Sequence, residues 1–186
     1  MRGKMHPMIE EESPESCSRL DLTVALEDER WLKAIPELEQ FCVQVVEQVL
    51  ADVENVPAAP LEVACAFVSD STIQTLNAQY RGKDAPTNVL SFASEDELLP
   101  GIPAVLGDVV LSFDTIVREA LEQGKPLRDH TAHMMMHGLL HLLGFDHESD
   151  EDAEEMEARE VALLAELGIP NPYQDCFGAP QGETVH

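Results

Sequence analysis

Positive charge is what this chain has least of: 11 lysines and arginines stand against 36 aspartates and glutamates, for a formal net charge of -25. A broad basic face that grips nucleic acid through its phosphates is thereby excluded, and an anionic substrate must be held by a local cluster of cations. Long apolar runs are missing as well. No stretch approaches the roughly 18 residues that a membrane-spanning helix needs, and the opening MRGKMHPMIEEESPES has no apolar core of a signal peptide, so the expectation is a cytoplasmic protein with no membrane partner. The four cysteines, Cys17, Cys42, Cys65 and Cys176, lie far apart with no C-x-x-C pair; they suggest neither a thiolate zinc site nor a disulfide framework and read as free thiols. Internal repeats are absent, and 186 residues at 44% hydrophobic content suffice for one core.

What is present is a strand and helix alternation. Residues 1–18 are acidic and contain proline, and 172–186 have few periodic apolar positions; both are expected to be flexible tails flanking a single domain over 19–171. Leu20–Leu26 alternates in part and predicts a strand, whereas Leu38, Phe41, Val45, Val46, Val49 and Leu50 recur at helical spacing across 37–53. A proline-bearing turn at 56–60 precedes the β-branched run Leu61–Val68, a buried strand. Ser71 with Gln74 fits a capping box for a helix continued by Ile73, Leu76 and Tyr80, which RGKDAPT then breaks. Strands are predicted at 88–92 and 107–112 around a loop at 99–103. Helices are predicted at 114–123, 127–143 and 149–167, with Gly144 at a C-terminal cap. The fold class implied is α+β: a small mixed four-stranded sheet packed by about five helices.

The chemistry concentrates in HMMMHGLLHLLGFDH, residues 133–147. His137 and His141, four apart on a helix, stack their imidazoles on one face at the distance a shared metal requires. Gly144 can take a positive φ and turn the chain back, so that His147 completes a tripod. One such histidine is ordinarily a helix-face residue bonded to backbone or solvent; three within eleven residues at ligand spacing point to a metal site. Three neutral imidazoles leave an ion, zinc by this donor set, its full charge and an open fourth position, where the pKa of a water falls toward about 7. His133, a turn earlier, reads as a pocket residue supporting the ligands, because two turns rise too far for it to share the ion with His141. Asp146 reads equally as the acceptor of a ligand imidazole's other N–H and as a surface aspartate in a turn. Met134, Met135 and Met136 read as core packing. The acidic run 148–160, with eight carboxylates against one arginine, reads as a solvated helix face.

The spacing H-x-x-x-H-x-x-G-x-x-H also occurs in metzincin proteases, which implies a zincin-like metal helix. A zinc peptidase of that kind needs a glutamate immediately after the first histidine as general base, and here that place is Gly138. Peptide hydrolysis by that route is disfavoured while the metal site stands.

Two blocks resemble the YbeY family of bacterial metal-dependent endoribonucleases. LNAQYRGKDAPTNVLSFA at 76–93 is similar to the family's N-x-x-Y-R-x-K-D-x-P-T-D-V-L-S-F-P, and the block at 133–147 resembles its histidine signature; LGDVVLS at 106–112 is a weaker third. Asn88 stands where the family usually has aspartate and Ala93 where it has proline. The resemblance covers about residues 20–170. It implies a single-strand-specific endoribonuclease acting in ribosomal RNA processing at the 3' end of the small-subunit RNA and in ribosome quality control. The small ribosomal subunit and an assembly GTPase are the implied partners. Carried over by position, His137, His141 and His147 hold one zinc ion per chain, and Arg81 is the basic residue associated with activity. Arg81 and Lys83 are the expected substrate contacts, with Lys125 and Arg128 as further members of the local cationic patch, and His137 with Arg81 forms the expected catalytic pair. Two alternatives stay open on the residues alone: a zinc hydrolase of another substrate, and a non-catalytic assembly factor with a structural ion. The open three-ligand site speaks against a structural ion, which normally has four protein ligands.

Overall fold

The computed structural model describes residues 20–52, 60–95, 99, 102–147 and 149–174. The expected N-terminal tail, most of the turn at 56–60 and residues 175–186 lie outside that set. Strands β1 (Leu20–Leu26), β2 (Leu61–Val68), β3 (Val89–Ala93) and β4 (Ala104–Ser112) form one sheet in the order β1-β2-β4-β3. β1 and β4 flank β2 in parallel, and β3 lies antiparallel to β4 at the edge. The mixed α+β architecture is as the sequence implies, with six described helices rather than about five. The additional one, α1 (Arg30–Ala34), is too short to leave a periodic signature; it forms because Trp31 is buried edge-on against Phe67 and Phe113.

Alternation along the strands sorts side chains to two faces. Val63, Cys65 and Phe67 of β2, Leu106, Val109 and Leu111 of β4, and Val89 of β3 face the larger core, shared with α2 (Leu38–Asp52), α5 (Leu127–Leu142) and α6 (Asp150–Glu166). Val68, Leu90 and Val110 point the other way, beneath Ile73 of α3 (Asp70–Arg81). α3 begins two residues earlier than the capping box suggests: Ser69, not Ser71, accepts the free N–H of Thr72. Ser71 instead bonds the Ser69 hydroxyl. α4 (Phe113–Glu122) follows β4 without a loop and is tied to the start of α3, where Asp70 accepts from Ser112 and from Thr115.

α5 is the central element, buried on most of its circumference. Its three methionines are core, as expected, since this helix is covered by the sheet on one side and by other helices on the other. It reaches the sheet at Gly138, where a Cβ would stand 2.7 Å from Val109 Cγ1 and 2.9 Å from Ser91 Oγ. Ser91 donates to the Gly138 carbonyl at 3.0 Å. The residue whose missing carboxylate disfavours peptidase chemistry is therefore also the contact point that lets the metal-site helix lie against β3 and β4.

Candidate metal centre and cleft

α5 carries His137 and His141 on one face, and its last turn ends at Gly144 with φ 89°, a left-handed conformation open to glycine at little cost. The chain turns there and returns His147 to the pair. Ligand nitrogens of the three histidines all lie within 4.8 Å of one another. The His147 ring stacks on His137 with centroids 5.8 Å apart and meets His141 edge-on at 5.0 Å.

The protons on these rings follow from their neighbours. His141 Nδ1 lies 3.0 Å from the Phe145 carbonyl, an acceptor only, so Nδ1 carries a hydrogen and donates it. His137 Nδ1 donates to Glu160 Oε1 at 2.7 Å. In the neutral form that a metal requires of both rings, the two Nε2 atoms are lone pairs, and they face each other at 3.1 Å. Two acceptors so close repel unless a cation lies between them. Two imidazoles sharing a tetrahedral zinc at 2.0–2.1 Å place their nitrogens about 3.3 Å apart. The donor set therefore fits a metal ion. Burial and the neighbouring His137 ring depress the pKa of His141, keeping it in the neutral form that a ligand requires.

Glu160 is what the sequence reading missed. Although it ends the acidic run taken as a solvated face, it is 0% exposed. Its carboxylate accepts from His137, from His133 Nε2 at 2.9 Å and from the Tyr173 hydroxyl. Burial alone would raise its pKa; these three donors outweigh burial and hold it at about 2. The legible signal was helical phase: Met156, Glu160, Leu163 and Leu164 are the buried stripe of α6, and Glu160 is its polar member. His133 has the supporting place expected of it, reaching the ligand through Glu160. Asp146 does not orient an imidazole; it accepts the backbone N–H of His147 at 2.7 Å, and the orienting acceptors are Glu160 and the Phe145 carbonyl. Tyr173, assigned by sequence to the C-terminal tail, donates to Glu160 and meets the His133 ring edge-on at 5.4 Å.

The three histidines open onto a cleft of about 390 Å³ whose other wall includes Arg81, Thr87, Asn88 and Ser91. Arg81 is the last residue of α3, and the loop after it is pinned to that helix. Asn77 Nδ2 donates to the Ala85 carbonyl at 2.8 Å, Lys83 N to the Asn77 carbonyl at 3.2 Å, and Gln74 to Asp84 at 2.9 Å. The first sequence block is thus largely a loop clamp that presents Arg81. Lys83 is exposed in that loop and is not among the described residues lining the cleft. Lys125 donates to the Pro172 carbonyl, and Arg128 lies over the Phe41 ring, so these two are engaged elsewhere. Asn88 keeps its place on the cleft wall by donating to both Glu119 oxygens at 3.1 and 3.2 Å; Glu119 also accepts from His130 at 2.8 Å. Burial would raise the Glu119 pKa, and the His130 and Asn88 hydrogen bonds lower it overall.

The family model described as endoribonuclease YbeY matches residues 25–168. Among curated relatives, the endoribonuclease YbeY of Paramagnetospirillum magneticum is 46% identical over 158 residues, 83% of this chain and 96% of its own. That of Magnetococcus marinus is 54% identical over 124 residues, 62% of this chain and 84% of its own. A solution structure from Thermotoga maritima aligns with a TM-score of 0.48 at 24% identity, covering 86% of this chain and 99% of its own.

Proposed function

Because the chain belongs to the YbeY family of endoribonucleases, we propose that it is a single-strand-specific, zinc-dependent endoribonuclease of ribosomal RNA, acting in 3' end maturation of the small-subunit RNA and in ribosome quality control. The observation that carries the reading is the convergence of the His137, His141 and His147 ring nitrogens, within 4.8 Å of one another, in a cleft that also holds Arg81. Residues 19–171 would form the catalytic domain, with the small ribosomal subunit and an assembly GTPase as partners and the cytoplasm as location. No helix among the described residues is long and apolar enough to cross a membrane.

His137, His141 and His147 would hold one ion. When bound, it supplies Lewis-acid charge beside the phosphate and lowers the pKa of a water there. Glu160 and the Phe145 carbonyl hold the Nδ1 protons of His137 and His141, which keeps both Nε2 lone pairs turned inward. The Arg81 guanidinium offers two parallel N–H groups to phosphate oxygens and stabilises the charge that develops on them. Lys83 would contact the strand outside the cleft. Gly138 offers no base for peptide hydrolysis.

The test compares wild type with His137→Ala and Arg81→Ala for bound metal and for cleavage of single-stranded RNA. His137→Ala is expected to lose both; Arg81→Ala is expected to keep the metal and lose cleavage. Equal cleavage by all three proteins would trace the activity to a contaminant and remove the reading.

A further inference from the structure

His137 and His147 separate two different cavities. On one side is the polar cleft with Arg81; on the other is a cavity of about 260 Å³ between α6 and the turn at 171–174, which shares His137 and His147 with it. The walls of this second cavity are Ala153, Met156 and the Tyr173 ring, with the carboxylates of Glu157 and Glu160. Among the described residues lining it there is no lysine or arginine, so a phosphate is repelled there. The part of an RNA strand that suits an apolar, acceptor-bearing cavity beside a phosphate site is the base attached to the neighbouring nucleotide.

Tyr173 is suited to stack on it. The residue is 45% exposed, yet its hydroxyl is tied to Glu160 and its ring meets His133 edge-on, so little side-chain freedom is lost on binding. Base stacking on such a ring is tolerant of sequence. Selection would come from Glu157. A free carboxylate accepts two parallel hydrogen bonds, and among the four bases guanine alone offers two adjacent donors, N1–H and the N2 amino group, on its pairing edge. Glu160 already accepts from three donors and is fully buried, which leaves Glu157 as the accessible carboxylate.

We propose that this cavity is a nucleobase subsite that takes the base flanking the scissile phosphate, with Tyr173 as its stacking platform and Glu157 conferring a preference for guanine. The inference rests on the endoribonuclease reading above and deepens it. A base that is paired in a duplex cannot present its pairing edge to Glu157 or leave its stack to meet Tyr173, so the same cavity supplies a physical reason for requiring single strands.

The experiment uses the metal-loaded full chain and short single-stranded RNAs with one cleaved bond, in which each position in turn is abasic or carries each of the four bases. At one flanking position, base removal is expected to raise KM about tenfold with less change in kcat, and guanine to be preferred. Tyr173→Leu should abolish the penalty for base removal, whereas Tyr173→Phe, which keeps the ring and loses only the hydroxyl's contacts with Glu160 and His133, should retain it. Glu157→Gln should lower the guanine preference about tenfold and leave the base-removal penalty in place. A penalty absent at every flanking position, or one undiminished in Tyr173→Leu, overturns the subsite. A second measurement needs no turnover: the Tyr173 ring resonances in metal-free protein should shift on addition of guanosine 5'-monophosphate and not of ribose 5-phosphate. If wild type cleaves no RNA, the endoribonuclease reading fails, and these resonances still decide the subsite, since equal response to the two compounds overturns it.

Discussion

Glu160→Gln removes one charge from the interior and changes almost no volume, which makes it the sharpest probe of the site. In the native protein, one carboxylate oxygen serves His137 Nδ1 and the other serves His133 Nε2 and the Tyr173 hydroxyl. An amide can satisfy only one side as an acceptor. The Tyr173 hydroxyl is able to rotate and accept, so the amide N–H2 turns toward it and the neutral oxygen stays on His137. Lowering the carboxyl from 4.5 to about 2 corresponds to about 3 kcal/mol at about 1.4 kcal/mol for each tenfold change in proton affinity. Metal-free Glu160→Gln is therefore expected to be about 3 kcal/mol less stable than wild type in urea unfolding at pH 7. Because the folded-state pKa lies below the unfolded one, the contribution is complete above about pH 4.5 and fades as pH falls toward about 2. At about pH 3 the gap between the two proteins should have shrunk to less than half. The His137 ring also loses an anionic acceptor, and zinc affinity by chelator competition should fall by about 10- to 100-fold. A variant with zinc affinity within about twofold of wild type and equal stability at pH 7 would refute the claim that Glu160 orders the site.

Three further outcomes follow from the packing. Gly138→Glu, which restores the peptidase pattern, should lower stability by about 3 kcal/mol or more in urea unfolding and yield no peptide hydrolysis, because its Cβ would overlap Val109 and Ser91 in a tightly packed core. Asn88→Asp replaces the N–H donors facing Glu119 with a second acid, so it should cost about 1–2 kcal/mol at pH 8. Protonation of that pair relieves the repulsion, and the deficit should narrow at pH 5. Cys42 and Cys65 are buried; burial pushes the Cys42 thiol up to about 12 and raises that of Cys65 as well. Both should resist iodoacetamide at pH 8 in the native protein and react on unfolding, as read by mass spectrometry, and rapid native labelling of either would contradict the core described.

Much of this protein was determined by local sequence. Helical spacing placed His137 and His141 on one face, a glycine at 144 returned His147 to them, and partial alternation marked β1 and a β-branched apolar run β2, because these are properties of a residue and its near neighbours along the chain. Gly138 was legible as a missing base, but its steric reason came only from β3 and β4 lying against α5. The choice of Glu160 among the carboxylates of its helix, the use of Tyr173 from beyond that helix, and the diversion of Asp146 to a backbone N–H were likewise decided in three dimensions. So was the partition of cations, with Arg81 in the cleft and Lys125 and Arg128 engaged elsewhere. The physical reason is common to all of these. Whether a charged group is solvated, paired or buried depends on what long-range packing brings against it, and 23 residues separate Glu160 from the histidine it orients.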